Sequence, residues 1–118
     1  MQENILRSIE KTMRYRIRLT IAATQDMDSI FAYIAEESKS VSTAYSIIEK
    51  LRQAIFNLED FPFIFSLIDE EPWKTRGFRK AIVDNYLIIY GVDDLSASVI
   101  IYKVVSSRRD IETVLFEI

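Results

Sequence analysis

The chain has neither cysteine nor histidine among its 118 residues. Without cysteine it forms no disulfide and offers no thiolate to a metal ion, which fits a reducing cytosol. Without histidine it lacks the commonest metal ligand and the side chain used most often in acid–base catalysis. We therefore expect no metal site and no cofactor, and any catalysis must use other side chains.

Long apolar runs are missing as well. No segment approaches the roughly 20 apolar residues that span a bilayer. The first residues, from Met1 to Arg14, lack the uninterrupted apolar core and the small-residue cleavage site of a signal peptide. We therefore expect a soluble, cytoplasmic protein that is neither exported nor anchored to a membrane.

Basic residues are outnumbered, with 15 lysines and arginines against 18 acidic residues and a net charge of −3. This balance argues against a surface built for nonspecific nucleic-acid binding. The basic residues are nevertheless clustered, because the run from Trp73 to Lys80 holds four of them and no acid. The cluster is either a solvated loop that keeps the protein soluble or a docking surface for an anionic partner.

The length and the 49% apolar composition suit one core and are too small for two ordinary domains. We expect a single domain over residues 15–118, preceded by an extension over residues 1–14. In this extension four apolar residues recur at helical spacing: Ile5, Leu6, Ile9 and Met13. Such a stripe either packs on the domain, supports a homodimer or frays in solution.

The first half of the domain predicts a strand and two helices. Apolar and polar residues alternate over residues 15–21, which is the period of a half-buried strand. Helical spacing then predicts one helix over residues 24–37 and a second over residues 44–58, ended by Pro62. Residues 38–42 suit a short turn and a helix N-cap. The two helices should form an antiparallel αα-hairpin packed on a sheet.

The second half predicts an irregular crossing over residues 63–73 and then strands over residues 78–83, 86–92 and 98–106. Asp84-Asn85 and residues 93–97 are the hairpin turns. The pairs that a two-residue turn places opposite each other are Val83 with Tyr86, Ala81 with Ile88 and Arg79 with Tyr90. Both faces of the middle strand are apolar, so it should lie inside the sheet. The sequence leaves open which of its faces meets the helices.

These elements predict an α+β domain of order β-α-α-β-β-β. An αα-hairpin packs on a mainly antiparallel four-stranded sheet, and basic side chains line the remaining face of that sheet. In this arrangement arginines from distant points of the chain gather into one positively charged recess.

From Tyr15 to Leu115 the chain resembles the RelE/ParE superfamily of bacterial type II toxins, and in particular its ParE-like plasmid stabilisation members. In the first half the resemblance rests on Ala23, Asp26, Asp28, Ile30, Tyr33-Ile34, and Leu58 through Pro62. In the second half it rests on Gly77-Phe78-Arg79, Tyr86 with Tyr90, and Arg108-Arg109-Asp110.

The resemblance implies a toxin that a cognate antitoxin holds inactive, either by adding a strand or by laying an apolar face in a groove. ParE-like relatives bind and inhibit DNA gyrase, whereas RelE-like relatives cut ribosome-bound mRNA. A third interpretation is a degenerate, non-toxic interaction module.

Metal-free RNA cleavage requires a base, an acid and cations close to the phosphate. The candidate catalytic residues are Lys80, Arg108 and Arg109. RelE-like nucleases, however, generally carry an arginine directly after the first tyrosine of the pattern, where this chain has Leu87. Many relatives also place a histidine near the end of the last strand, where Ser107 or its neighbours stand. Both departures favour gyrase as the target.

We assign target binding to the basic cluster and the strand beside it: Lys74, Arg76, Arg79 and Tyr90. Arg79 either holds an anionic partner or forms a salt bridge to Asp26 or Asp28. Tyr90 either stacks on bases or lies in the core with its hydroxyl at the rim.

Two further segments have alternative interpretations. Arg108-Arg109-Asp110 either face the target or start a C-terminal helix that buries Ile111, Val114 and Leu115. Trp73 is interpreted as the anchor of its loop.

Overall fold

The structure, a computed structural model, describes residues 14–118, so the predicted N-terminal stripe lies outside the described residues. The predicted order β-α-α-β-β-β is confirmed, and a short C-terminal helix follows it. In chain order the elements are β1 (Arg16–Leu19), α1 (Ile21–Ser38), α2 (Val41–Asn57), β2 (Arg79–Val83), β3 (Tyr86–Asp93), β4 (Ser98–Ser106) and α3 (Ile111–Phe116). Among the described residues, no helix is long and apolar enough to cross a membrane.

Side-chain caps set where the two long helices begin. The Thr20 hydroxyl accepts a hydrogen bond from the Ala23 amide at 3.0 Å, so α1 starts three residues earlier than predicted and β1 is shorter. The Ser40 hydroxyl caps α2 in the same way, through the Thr43 amide. Such caps satisfy amides that have no partner inside the helix. The helix α2 ends at Asn57, before Pro62, so the proline does not terminate it as predicted.

The four strands form one sheet in the order β1-β4-β3-β2. The strand β1 pairs with β4 in parallel, and the other two pairings are antiparallel, so the sheet is mixed. The register predicted for the Asp84-Asn85 turn is confirmed, with Val83 opposite Tyr86 and Arg79 opposite Tyr90. The strand β3 lies inside the sheet, as its two apolar faces predicted.

The face of the sheet that meets the helices carries the main core. Ala81, Ile88 and Tyr90 from this face are buried with Leu51 and Ile55 of α2. Because side chains alternate along a strand, Leu87 and Ile89 must point to the opposite face.

That opposite face is covered by apolar residues, so the prediction of a face lined by basic side chains is wrong at its centre. Leu87, Ile89 and Val105 are buried in a second cluster with four residues of the preceding loop and of α3: Ile68, Trp73, Val114 and Leu115. The Trp73 ring packs edge-on against Phe116 with centroids 4.9 Å apart. The tryptophan is therefore a buried loop anchor, as predicted. Of the two interpretations of the C-terminal segment, the structure shows the short helix, capped by Asp110.

Candidate functional site

The cations predicted to form one recess lie in separate places. Lys80 of β2 stands opposite Ile89, which in turn stands opposite Lys103 of β4. With a strand spacing of about 4.8 Å, the Lys80 and Lys103 backbones are about 10 Å apart. These two lysines therefore flank the apolar centre of the covered face.

Arg109 belongs to a network of ion pairs at the C-terminus. Its guanidinium Nη2 lies 2.6 Å from Glu117 Oε1, and Glu117 Oε2 lies 3.9 Å from Lys103 Nζ. Lys103 Nζ also contacts Asp26 Oδ1 of α1 at 3.2 Å. The hydrogen bond between Arg109 and Glu117 raises the pKa of the arginine and lowers that of the carboxyl. Arg109 is thus partnered within the protein.

A β-bulge explains why sequence reasoning missed Lys103. The register changes between Ile89 and Tyr90: Ile89 pairs with Lys103 but Tyr90 pairs with Ile101, which leaves Tyr102 as the extra residue. The insertion breaks the alternation of faces that the sequence pattern assumes. The nearby amide of Val104 donates to Asp26 Oδ2 at 2.9 Å, beyond the point where β1 ends.

Arg108 lies on the other side of the sheet. It lines a cleft of about 430 Å³ between α1 and the adjoining ends of β3 and β4. We call this the tyrosine cleft; its lining residues are Ser29, Ile30, Tyr33, Asn85, Tyr86, Ser106 and Arg108. Arg108 forms no ion pair with any residue between Arg14 and Ile118.

Arg79 and Tyr90 are opposite each other, as predicted, but both side chains have partners inside the fold. The Tyr90 ring is fully buried and its hydroxyl donates to the Pro62 carbonyl at 3.0 Å. Burial raises the pKa of Tyr90. Arg79 Nη1 donates to the Phe65 carbonyl at 2.6 Å, and its guanidinium lies 5.1 Å from the centre of the Phe63 ring.

These contacts bear on the roles predicted for the pair. Tyr90 lies in the core, and its buried ring does not reach a target from this position. Among the described residues Arg79 forms no salt bridge to either predicted acid, Asp26 or Asp28. Asp26 pairs with Lys103 instead.

Lys74 and Arg76 are exposed in the turn between Trp73 and Gly77, and neither forms an ion pair within the described part of the chain. Arg76 lines a second cleft, of about 380 Å³, beside Gly91 and Asp93. This cleft is at the opposite end of β3 from the tyrosine cleft. The predicted site residues are therefore divided among the loop, the covered face, the main core and the tyrosine cleft.

This arrangement is a poor match to a phosphate-cleaving centre. In residues 14–118 no group of three acidic side chains is placed to hold a metal ion. Of the three candidate catalytic cations, Lys80 lies on the covered face, Arg109 pairs with Glu117 at the C-terminus, and Arg108 lines the tyrosine cleft. Metal-free cleavage needs its cations around one phosphate.

An apolar groove of about 440 Å³ runs between β1 and the two long helices, and the sequence did not reveal it. Most of its lining residues are apolar: Ile17, Leu19, Met27, Phe31, Ile48, Ile55 and Phe56. Two of them are substantially exposed: Leu19 of the predicted strand is 41% exposed, and Phe56 is 48% exposed. The outer edge of β1 lies beside this groove, because β1 is at the edge of the sheet. A groove next to a free strand edge can accept either a helix or an added strand.

Comparison with known families and structures gives one family match. Residues 17–111 match the family model described as the ParE toxin of the type II toxin–antitoxin system parDE. None of the curated protein sequences compared with the chain matches it.

Solved structures share the fold at low sequence identity. The toxin–antitoxin complex RelBE2 from Mycobacterium tuberculosis has 20% identity, with 79% of this chain and 98% of that chain covered and a TM-score of 0.58. The chromosomal ParDE system from P. aeruginosa has 13% identity, with 80% and 97% covered and a TM-score of 0.65. The E. coli toxin RelE in the free state has 14% identity, with 80% and 85% covered and a TM-score of 0.58.

Proposed function

This chain belongs to the ParE toxin family of type II toxin–antitoxin systems, and we propose that it inhibits growth by binding DNA gyrase. The target is inferred from the ParE-like resemblance of the sequence. The observation that carries the choice is the separation of Lys80, Arg108 and Arg109, which leaves no common phosphate site. Leu87, at the position where RelE-like nucleases generally have arginine, is buried and supports the same choice.

We assign contact with the target to Lys74 and Arg76. Both side chains are exposed and without an ion pair in the described part of the chain, so no internal contact must break when they bind. Arg79 acts indirectly in this proposal. Its contacts with Phe65 and Phe63 hold the loop in which Phe61 and Phe63 are 61% and 49% exposed. Aromatic side chains, including phenylalanine, and arginines are enriched in protein interfaces.

The proposed antitoxin site is the apolar groove. It offers a strand edge and an apolar surface side by side, which are the two features that an inhibitory segment would use. Asp28 and Arg52 are its charged lining residues and supply polar contacts at the rim.

One observation favours a second candidate, RelE-like cleavage of ribosome-bound mRNA. Lys80 and Lys103 lie on the same face, on either side of Ile89, and Arg109 is joined to Lys103 through Glu117. If Glu117 moved away, Lys103 and Arg109 would be free to bind a phosphate on the face that also carries Lys80. The catalytic residues of this alternative are Lys80, Arg109 and, from the tyrosine cleft, Arg108.

The proposal is tested by adding the purified toxin to gyrase in a DNA supercoiling assay. In parallel, the 5′ ends of cellular transcripts are mapped after induced expression. We expect inhibited supercoiling and intact transcripts. The double variant Lys74→Ala, Arg76→Ala should inhibit less, whereas Arg18→Ala, Lys39→Ala, which also removes two exposed basic side chains, serves as the matched control.

Two other results would contradict the proposal. Cut transcripts with unaffected gyrase would identify the nuclease. A folded protein without any effect on growth would identify a non-toxic interaction module.

A further inference from the structure

The tyrosine cleft combines groups that the proposed binding of gyrase does not use. It opens on the helix side of the sheet, at the end of β3 where the Asp84-Asn85 turn lies. It shares no lining residue with the apolar groove, although α1 contributes to both. Its volume of about 430 Å³ falls within the usual range for small-molecule sites, which is roughly 300–1,000 Å³.

Backbone contacts hold the walls of the cleft in place. Ser106 stands opposite Tyr86 in the β3–β4 ladder, and the Ser107 amide donates to the Asn85 carbonyl at 2.8 Å. The Ser106 hydroxyl accepts a hydrogen bond from the Arg108 amide at 3.3 Å. On the other wall, Ile30 of α1 packs on the main core. The cleft is therefore part of the rigid fold.

The tyrosine cleft is lined by a basic side chain, Arg108, which is unusual in a protein with more acidic than basic residues. No carboxylate lines it, although the chain has 18 acidic residues and a net charge of −3. Two basic residues close to Arg108 in the chain are paired: Arg109 with Glu117, and Lys103 with Asp26. Arg108 has no such partner within the described residues and can therefore bind an anion without breaking an ion pair.

The other lining groups are mainly hydrogen-bond donors and aromatic rings. Tyr33 is 63% exposed and offers a ring to solvent, whereas Tyr86 is half-buried. Burial, and then the nearby Tyr33 phenol, raise the pKa of Tyr86, so its hydroxyl stays protonated and can donate. Ser29 and Ser106 add two hydroxyls, and Asn85 adds an amide.

A ligand that fits this set has one anionic group, an aromatic ring and several acceptors. We propose that the tyrosine cleft binds a nucleoside monophosphate, with the phosphate on Arg108 and the base stacked on Tyr33. Arginine is the usual partner of phosphate, and tyrosine rings stack on bases of any sequence. A strand bound along several phosphates is disfavoured, because such binding uses several cations and this cleft has one.

The monophosphate comes either from a free nucleotide or from the phosphorylated end of a nucleic-acid strand. Both present the same chemistry to the cleft. Neither depends on gyrase inhibition, so the site can be tested without any toxicity assay.

The test is a titration of the full-length, isotope-labelled protein with AMP, followed by amide NMR shifts. We expect saturable shifts confined to the segments around residues 29–33, 85–86 and 106–108. Arg108→Ala should weaken binding about tenfold or more, because a charge-assisted pair is lost. Tyr33→Ala should also weaken binding, whereas Tyr33→Phe, which keeps the ring, should bind nearly as well as the unmodified chain.

Matched controls separate the cleft from general charge effects. Tyr45→Ala removes a tyrosine of α2 that is 64% exposed and lies outside the cleft, and Arg76→Ala removes an exposed arginine at the other end of β3. Neither should change the affinity for AMP. Circular dichroism of each variant checks the fold.

Further ligands show which parts of the nucleotide the cleft recognises, and whether it binds a free nucleotide or the phosphorylated end of a strand. Adenosine, which lacks the phosphate, and ribose 5-phosphate, which lacks the base, should each bind more weakly than AMP. If a short 5′-phosphorylated oligonucleotide produces the cleft shifts and AMP does not, the source is a strand end. Absence of saturable shifts with both ligands at millimolar concentration, shifts that persist in Arg108→Ala, or equal binding of ribose 5-phosphate would overturn the proposal.

Discussion

Asp26 joins α1 to the part of β4 that β1 does not reach. Its carboxylate accepts from the Val104 amide at 2.9 Å and from Lys103 Nζ at 3.2 Å, and its side chain is only 19% exposed. The strand β1 ends at Leu19, opposite Ile101 of β4. Beyond this point the Asp26 side chain, rather than a neighbouring strand, accepts the hydrogen bond from the edge of β4. Leaving a buried amide without a hydrogen-bond partner lowers the stability by more than the hydrogen bond itself contributes.

We predict that Asp26→Ala lowers the free energy of unfolding by about 2 kcal/mol, because the Val104 amide loses its acceptor. Asp26→Asn keeps one acceptor oxygen and should cost less. The measurement is urea unfolding followed by circular dichroism. The control is Asp28→Ala on the exposed side of the same helix, and an equal effect of both alanine variants would show that the bridging contact is unimportant.

Through Glu117, the stability of the contacts at the C-terminus depends on pH. Its carboxyl faces Arg109 and Lys103, and Asp26 is the other carboxylate near these cations. The hydrogen bond from Arg109 is the largest cause of the lowered pKa of Glu117, whose ordinary value is 4.5. A lowered pKa in the folded state means that the contribution to stability is present above the ordinary value and is lost as the pH falls through the lowered one.

We predict that Glu117→Gln is less stable than the unmodified protein at neutral pH and that this difference shrinks when the pH falls below the ordinary carboxyl value. Urea unfolding curves at neutral and acidic pH measure the difference. Trp73, the only tryptophan, reports on the contact with α3 through its fluorescence. Glu71 also has a lowered pKa, caused mainly by its hydrogen bonds with Thr75. Because Glu71 is present in both proteins, its effect cancels in the difference between their free energies of unfolding. A difference that is constant with pH would refute the prediction.

At the level of elements, the C-terminal helix α3 completes the sheet by covering its second face. It has six residues, which is too short to be stable alone in water. Its stability must come from Val114 and Leu115, which are 0% and 2% exposed in the second cluster. The loop that contains Trp73 packs on the same face, so the helix and the loop depend on each other.

We predict that Leu115→Ala destabilises the protein by about 2–4 kcal/mol, through lost burial and the cavity that remains. Because Trp73 shares the cluster, its emission should move to longer wavelength before the long helices melt. Fluorescence and circular dichroism recorded in one urea titration would reveal the two steps. Glu112→Ala, an exposed change in the same helix, should stay within about 0.5 kcal/mol. Coincident transitions for Leu115→Ala would mean that α3 and the hairpin unfold together.

At the scale of the whole molecule, the three surfaces to which we assign functions lie in different places. The apolar groove lies between β1 and the helices, the exposed turn with Lys74 and Arg76 precedes β2, and the tyrosine cleft is at one end of β3. Separate surfaces allow an antitoxin to bind one site while a target or a small ligand uses another. Inhibition by the antitoxin would then require that it extend beyond the groove or change the toxin's shape.

We predict that Leu19→Glu weakens binding of the cognate antitoxin by at least about tenfold, because it places a charge in an apolar groove. Binding is measured by calorimetry with the purified partner. The control is Leu95→Glu, which makes the same change at a fully exposed position in the β3–β4 turn. Equal affinities for the two variants would move the antitoxin site away from the groove.

Several features of this protein followed from local sequence alone. Asp84-Asn85 between two β-rich runs gave the hairpin register correctly, because a two-residue turn fixes which residues face each other. The apolar stripes of the long helices and the two apolar faces of β3 gave the order of elements and the central strand. The family resemblance rested on short groups of residues and on the order in which they follow each other along the chain.

The candidate site was decided by tertiary contacts that join residues distant in sequence. Arg108 and Arg109 are adjacent in the chain, yet one lines the tyrosine cleft and the other pairs with Glu117. After the bulge at Tyr102, Lys103 lies within 3.9 Å of Glu117 at the C-terminus, and no local pattern predicts a one-residue insertion in a ladder. Tyr90 is in the core because its face of the sheet meets the helices, a choice that two equally apolar faces leave open. Sequence periodicity determines which residues share a face, and only packing decides what covers it.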